Sequence, residues 1–245
     1  MPSFEFLDWD SQFFGFGVAR ITLNSADSEK LEELVDDLKV AGVKLAYWSC
    51  EPSDAVANGA ALIHGGRLVD RKYVFTRSIA THQLMQHRIE AVTTKPELLS
   101  DRDHEALVGL SLQAAEYSRF RMDTEMPLGR WAELYRIWML RSISGAMADA
   151  VLIERIEGEP AGMITTSVHA GRGSIGLFGV DEAHRGRGIG SKLLDRALSW
   201  FIASGASSVS VVTQGANAGA HRIYQRAGFT LEEISHFYHF WIKQT

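Results

Sequence analysis

Cysteine is nearly absent from this chain of 245 residues, with Cys50 the only one. A single thiol forms no internal disulfide, which excludes a disulfide-stapled secreted scaffold and fits a reducing compartment. Proline occurs only 5 times, so no Pro-rich linker or recognition tract is present. No apolar run approaches the roughly 20 residues a membrane-crossing helix needs. The opening segment, Met1 to Asp10, is acidic and lacks the positive-then-apolar profile of a secretory signal. Together these absences lead us to expect a cytoplasmic protein with no membrane partner. Positive charge is not in excess either. The 25 Lys+Arg against 30 Asp+Glu give a net charge of −5, the wrong sign for a protein that neutralises nucleic-acid phosphates, so no nucleic-acid partner is expected. What is present is ordinary for a globular chain: 46% hydrophobic and 22% charged residues, too apolar for disorder. Glycine, at 22 residues, is plentiful and unevenly placed.

The N-terminal third alternates strand and helix signals. Residues 16–22 read as a strand. Leu31, Leu34, Val35 and Leu38 then recur at helical spacing within 28–41, and Gly42 stops that helix. A strand at 43–49 follows, then a helix from an N-cap at Ser53 to about His64, and a longer strand at 67–77. The polar stretch 78–87 is the best linker candidate. Beyond it we expect a strand at 88–93, helices at 100–117 and 128–144, and strands at 150–156, 161–168 and 173–180, the first two joined by the turn signature Glu157-Gly158-Glu159-Pro160. A helix at 188–203 buries Leu193, Leu194, Ala197, Leu198 and Phe201. A strand at 207–213, a short helix at 218–227 closed by Gly228, and an aromatic-rich strand at 229–242 complete the chain.

The most informative segment joins a strand to a helix: Gly179-Val180-Asp181-Glu182-Ala183-His184-Arg185-Gly186-Arg187-Gly188-Ile189-Gly190. Small residues let backbone N–H groups approach a ligand, and a helix N-terminus adds roughly half a positive charge aimed the same way. Arg185 and Arg187 supply cations suited to phosphate oxygens. These features describe a phosphate or pyrophosphate cradle, with a Gly-rich turn that binds nothing as the alternative. The segment is not a Walker loop, because Ser191 precedes Lys192, and its glycines at 186, 188 and 190 miss the dinucleotide fingerprint.

Arg185 to Gly190 resembles the Arg/Gln-x-x-Gly-x-Gly/Ala acetyl-CoA motif of the GCN5-related N-acetyltransferase (GNAT) superfamily, and the order of elements over about 88–245 agrees. The resemblance implies acetyl-CoA as acyl-donor cosubstrate, with the backbone of Arg185, Gly186, Arg187, Gly188, Ile189 and Gly190 on the pyrophosphate. It also implies that Val180 lies beside the acyl-pantetheine chain at a splayed strand. Asn217 and Tyr224, two helical turns apart, match residues that in this superfamily contact the cofactor and face the thioester sulfur. A phenol with pKa near 10 suits a general acid for a departing thiolate. A core aromatic is the alternative for Tyr224, and a helix N-cap for Asn217. For the base, the candidates are Asp70, Asp8, Asp10, His236 and His239. Asp70 ranks first because a similar family places a carboxylate there. The alternation of His236 and His239 with aromatics suggests strand faces, and no Cys/His spacing supports a metal.

Leu7-Asp8-Trp9-Asp10-Ser11-Gln12-Phe13-Phe14-Gly15 and Ser118-Arg119-Phe120-Arg121 are similar to segments of the TDP-fucosamine acetyltransferase family, which N-acetylates a nucleotide-carried amino sugar. That resemblance spans the whole chain. It implies a nucleotide-activated amino sugar as the acceptor, with Arg119 and Arg121 on its diphosphate, unless those arginines are ordinary solvated helix-end charges. The expected architecture is a mixed-sheet α/β protein: a GNAT acyl-CoA acyltransferase fold at 88–245 preceded by a smaller βαβαβ GNAT-like half-domain at 1–87. Direct transfer to the amine, without an acyl-enzyme, is the expected chemistry, and a homodimer is an assembly left open. A GNAT acting on another small amine or a peptide N-terminus, and a non-catalytic acyl-CoA sensor, are the alternatives.

Overall fold

The computed structural model describes residues 3–79 and 99–243. The expected linker beyond Ile79 and the expected strand at 88–93 lie outside them. The chain forms β1 (Phe4–Phe6), α1 (Asp8–Phe14), β2 (Gly17–Ile21), α2 (Ser28–Val40), β3 (Val43–Cys50), α3 (Ala55–Ile63) and β4 (Gly66–Ser78). From residue 99 on come α4 (Asp101–Ala114), a short 3-10 turn (Ala115–Tyr117), α5 (Arg119–Met122), α6 (Arg130–Ile143), β5 (Ala150–Ile156), β6 (Glu159–His169) and β7 (Arg172–Val180). The last elements are α7 (Ile189–Ala203), β8 (Ser208–Gln214), α8 (Ala218–Arg226) and β9 (Thr230–Trp241).

Local chemistry sets most boundaries. Asp27 accepts from the Lys30 amide at the start of α2, and Ser100 and Asp103 form a reciprocal capping box on α4. At α3 the cap is Asp54, which accepts from the Ala57 amide at 2.9 Å, and not its neighbour Ser53. The turn at Glu157-Gly158 joins β5 to β6 with both residues at positive φ. The segment Asp8–Phe14, read from sequence only as an aromatic motif, is a helix that Gly15 ends in the left-handed conformation.

All nine described strands join one sheet in the order β1-β2-β3-β9-β4-β8-β7-β6-β5. The last strand in sequence, β9, therefore sits between β3 and β4, antiparallel to both. Period-two alternation along each strand divides the core between the two faces. On β3, Ala46 and Trp48 join the cluster formed with Leu31, Leu34 and Leu38 of α2, while Leu45 and Tyr47 join Phe14, Phe120 and Leu134. Helix α7 packs Leu193, Leu194, Ala197 and Phe201 on β5 to β8, the stripe expected from its spacing.

Two of the sheet's register shifts bear on the cavities described below. Between β6 and β7, Ile164 pairs with Phe178 and Thr166 with Ile175, so Gly176 and Leu177 together oppose Thr165. This is a β-bulge in β7, and the Leu177 amide donates to Thr165 Oγ1 at 2.8 Å. A second bulge lies in β4: Leu68 pairs with Tyr238 and Asp70 with Phe237, which leaves Val69 as the extra residue. No helix among the described residues is long and apolar enough to cross a membrane.

Gly66 begins β4 where backbone and side chain crowd it. A Cβ there would lie 2.6 Å from Phe240 Cζ and 2.7 Å from the Ala61 carbonyl oxygen. Gly66→Ala is expected to cost about 1–3 kcal/mol through forced displacement of β4 from α3. Thermal unfolding checks it: a lower Tm is the expected result, and an unchanged Tm contradicts the packing.

Candidate active site

The bulge in β7 opens the sheet. β7 and β8 run parallel and pair from Arg172–Ser208 to Ile175–Val211, and no further. Beyond that point β8 stays with β4, through Val212, Thr213 and Gln214, while β7 continues beside β6. The wedge between them is a cleft of about 510 Å³. Gly176 to Val180 of β7 form one wall and Thr213, Gln214 and α8 the other, with Tyr117 and Tyr135 closing it from the opposite helices.

Five of the residues expected at the cofactor line this cleft: Val180, Arg185, Gly190, Asn217 and Tyr224. Gly186, Arg187, Gly188 and Ile189 form the loop and helix start beside it. Gly186 and Gly188 hold φ of 77° and 79°, values that disfavour any residue with a Cβ. The first turn of α7 has Gly188 at its N-cap and no side-chain cap, in contrast to α2, α3, α4 and α8. Its leading N–H groups are therefore left for an anion. The Ile189 side chain is buried in the core, so only its backbone faces this role. At the rim, Arg185 donates to the Val180 carbonyl and lies 3.6 Å from Glu116. Glycines at left-handed positions, an uncapped helix start and a lining arginine fit a pyrophosphate-bearing ligand.

Asn217 is both things its position allowed. Its Oδ1 accepts from the Ala220 amide at 3.0 Å as the N-cap of α8, and it lines the cleft. Tyr224, two turns on, packs between Phe75, Phe178 and Phe229 and also borders the cleft. Burial pushes its phenol well above the ordinary value, so it holds its proton throughout the physiological range.

A second cavity of about 310 Å³ adjoins the first. The two share Tyr117, Gln214 and Ala216, and the second adds Leu68, Val69, Asp70, Arg71, Tyr73 and Met122. Asp70 is in this cavity because of the β4 bulge, which makes it the register partner of Phe237. Burial pushes its carboxyl up to about 6, against the opposing influence of Arg119, the Arg71 amide and Lys72. A carboxylate of this kind is ionised at neutral pH yet basic enough to take a proton.

The other base candidates have different surroundings. Asp8 is exposed. Asp10 has its carboxyl raised by burial, opposed by Tyr47 and Arg119, and borders neither cavity. His236 and His239 lie on opposite faces of β9, as the alternation suggested. His236 Nδ1 is 2.6 Å from Asn58 Oδ1, and His239 Nδ1 is 2.6 Å from Asp123 Oδ2. Among the described residues no group of His, Cys, Asp and Glu is arranged to hold a metal ion.

The arginines expected on a diphosphate line neither cavity. Arg119 is half-buried, with its guanidinium 4.4 Å from the Phe120 ring and 4.5 Å from that of Phe237. Arg121 is exposed and lies 4.8 Å over Trp131. The cation that does line the second cavity is Arg71, which sequence reasoning passed over, as it did Tyr117. Neither carries a spacing signal; the β4 register brings in Arg71, and the 3-10 turn after α4 brings in Tyr117. Replacing Arg119 by Met removes a charge that favours ionised Asp70, so the Asp70 titration near pH 6 is expected to move to higher pH. Carboxyl ¹³C NMR reads it, and an unmoved midpoint contradicts the placement.

The acetyltransferase (GNAT) family profile matches residues 111–229. dTDP-fucosamine acetyltransferase from Escherichia coli O6:H1 is 25% identical over 241 residues, 96% of each protein. A mycothiol acetyltransferase from Beutenbergia cavernae is 43% identical over 61 residues, which are 25% of this chain and 20% of that protein. The spore coat polysaccharide biosynthesis protein SpsD from Bacillus subtilis is 25% identical over 57% of this chain and 48% of its own length. The chain thus spans about a fifth and about half of these last two relatives. Among solved structures, a GCN5-related N-acetyltransferase from Sphaerobacter thermophilus superposes with a TM-score of 0.60 at 18% identity, over 98% of this chain and 76% of that one, and so shares the fold. The stretch that matches the acetyltransferase (GNAT) family, residues 111–229, carries the bulged strand, the glycine loop and α8.

Proposed function

We propose that this protein is an acetyl-CoA-dependent N-acetyltransferase that modifies the amino group of a nucleotide-linked amino sugar by direct transfer. The observation that carries the reading is the junction of two cavities at Tyr117, Gln214 and Ala216, with a protonated phenol in one and a basic carboxylate in the other. In this reading the N-terminal part (1–87) supplies the acceptor side through Asp70 and Arg71. The C-terminal part (88–245) supplies the donor side.

The chemistry follows from the placement. The first turn of α7 and Arg185 hold the donor's pyrophosphate, and the thioester lies along the unpaired edge of β7 near Val180. Asp70 takes a proton from the acceptor ammonium, directly or through one water, and frees the nitrogen lone pair. The amine forms its C–N bond to the thioester carbonyl while backbone N–H groups of the parted β7 steady the negative oxygen. As the C–S bond breaks, Tyr224 gives its phenolic proton to the thiolate. The second proton, shed by the nitrogen as the amide forms, returns through water to the phenolate, so that the one proton released overall leaves from Asp70. Cys50 is buried and lines neither cavity, which suits transfer without an acyl-enzyme.

Two features favour an anionic, partly apolar acceptor. Arg71 is a lining cation of the acceptor cavity, and Leu68, Val69, Met122, Tyr73 and Tyr117 make much of the remaining wall. A deoxy amino sugar on a diphosphate carrier offers an apolar edge, an amine and negative charge together. Full-length similarity to a dTDP-fucosamine acetyltransferase points the same way.

Three variants test the roles. Tyr224→Phe is expected to lower kcat by about 10²-fold with little change in either KM. Asp70→Asn is expected to lower kcat/KM by about 10²–10⁴-fold. It should also abolish the acidic limb, which in the unaltered protein falls below pH 6 as the raised carboxyl takes its proton. Arg71→Gln should raise the KM of a nucleotide-linked amino sugar about tenfold and leave that of a neutral amino sugar unchanged. Thiol-release assays measure all three; efficient turnover of polyamines or peptides but not nucleotide-linked amino sugars overturns the acceptor assignment.

A further inference from the structure

Helix α5 is a single turn, Arg119–Met122, far below the length at which a helix holds itself together. Yet it borders the acceptor cavity at its far end, through Met122, and sets Arg119 against Phe237, the register partner of Asp70. Something outside the helix must fix it. At its N-terminus the Ser118 hydroxyl accepts from the Phe120 amide at a long 3.3 Å. At its C-terminus stands Asp123, whose side chain, like that of His239, is 0% exposed.

Three donors converge on that one carboxylate. His239 Nδ1 donates to Asp123 Oδ2 at 2.6 Å, Trp241 Nε1 to the same oxygen at 2.8 Å, and the Glu125 amide to Oδ1 at 3.0 Å. His239 and Trp241 are two apart on β9, so both side chains rise from one face. Burial pushes the His239 imidazole down, toward the neutral form, which leaves Nδ1–H as a donor to an ionised carboxylate. Against the pull of burial, those donors hold the Asp123 carboxyl below its usual range. A buried carboxylate kept ionised by directed hydrogen bonds is strong and geometrically demanding. Its partners sit on the strand that also carries Phe237, next to Asp70 on β4.

We infer that Asp123, His239 and Trp241 form a buried clamp that positions α5, and through it Met122 in the wall of the acceptor site and Arg119 where its charge acts on Asp70. Asp123 and His239 are positioning residues: neither lines a cavity. This rests on the reading of the second cavity as the acceptor site. Loss of the clamp should therefore disturb acceptor binding and the electrostatics of Asp70, and leave the donor cleft as it is. The groups that face Asp70 are Arg119 from α5, Tyr135 from α6 and Lys72 on its own strand. Of these, Arg119 is the one the clamp carries.

The test uses the full chain with Asp123→Ala, His239→Leu and His239→Asn. An Asn side chain can present an amide N–H close to where the imidazole Nδ1–H stood, so it serves as the conservative rescue. His239→Leu, which removes one charge-assisted hydrogen bond, is expected to raise the acceptor KM about tenfold, and Asp123→Ala, which removes the acceptor of all three, at least as much, with the acetyl-CoA KM within about twofold in both. His239→Asn should stay within about threefold of the unaltered protein, since the donor is kept. The Asp70 titration, followed by carboxyl ¹³C NMR, should move to higher pH in the first two variants and not in the third. That titration needs no turnover, so it judges the clamp even where amino sugars prove not to be the acceptor. Unchanged acceptor KM and unmoved Asp70 in folded Asp123→Ala, or equal rises in both KM values, overturn it. Should those variants not fold, Trp241→Phe removes a single donor and is expected to raise the acceptor KM about threefold; no change overturns the clamp.

Discussion

One extra residue in β7 is the constraint on which the rest depends. With Gly176 and Leu177 together opposing Thr165, the strand bends and its pairing with β8 ends at Ile175. The bulge is not left to chance. Thr165 Oγ1 takes up the Leu177 amide, and a Cβ at Gly176 would lie 2.7 Å from that same oxygen. The elements that follow it use the wedge: the glycine loop turns over its mouth, α7 starts beside it, and α8 brings Asn217 and Tyr224 to its wall. The β4 bulge at Val69 does the matching work on the other cavity. In an unbroken register Asp70 would share the side of Leu68 and Tyr238; the insertion aims it with Phe237 instead.

Burial then divides the proton chemistry. It raises both Tyr224 and Asp70, but from ordinary values far apart, so the phenol stays protonated while the carboxyl comes to rest near neutrality. Arg119, Lys72 and the Arg71 amide keep Asp70 from rising further. A protonated phenol and a carboxylate raised by burial thus stand on either side of a shared junction at Gln214 and Ala216, the arrangement that the proposed direct transfer needs.

Much of this was legible before any coordinates. Helical spacing marked α2 and α7, the turn at Glu157-Gly158 marked the β5–β6 hairpin, and the glycines at 186, 188 and 190 marked a loop whose backbone could approach a ligand. These signals are local, carried by residues a few positions apart. The bulges are not, because each is a relation between two strands. Hence Asp70 could be ranked by resemblance but not aimed, and Arg71 and Tyr117 gave no sign at all. Arg119 shows the opposite failure. A helix-end arginine reads as solvated charge or phosphate ligand, yet the aromatic rings of Phe120 and Phe237 enclose it. The helix α1 went unread for a similar reason: seven residues are too few to display a period.

The central claim is that the two joined cavities hold donor and acceptor at once. Initial-velocity kinetics of thiol release, with acetyl-CoA and a nucleotide-linked amino sugar varied together, test it most directly. The account predicts intersecting double-reciprocal lines and an N-acetylated sugar as product. Parallel lines with an acetylated protein intermediate, or no thiol release with any amino sugar, would contradict it.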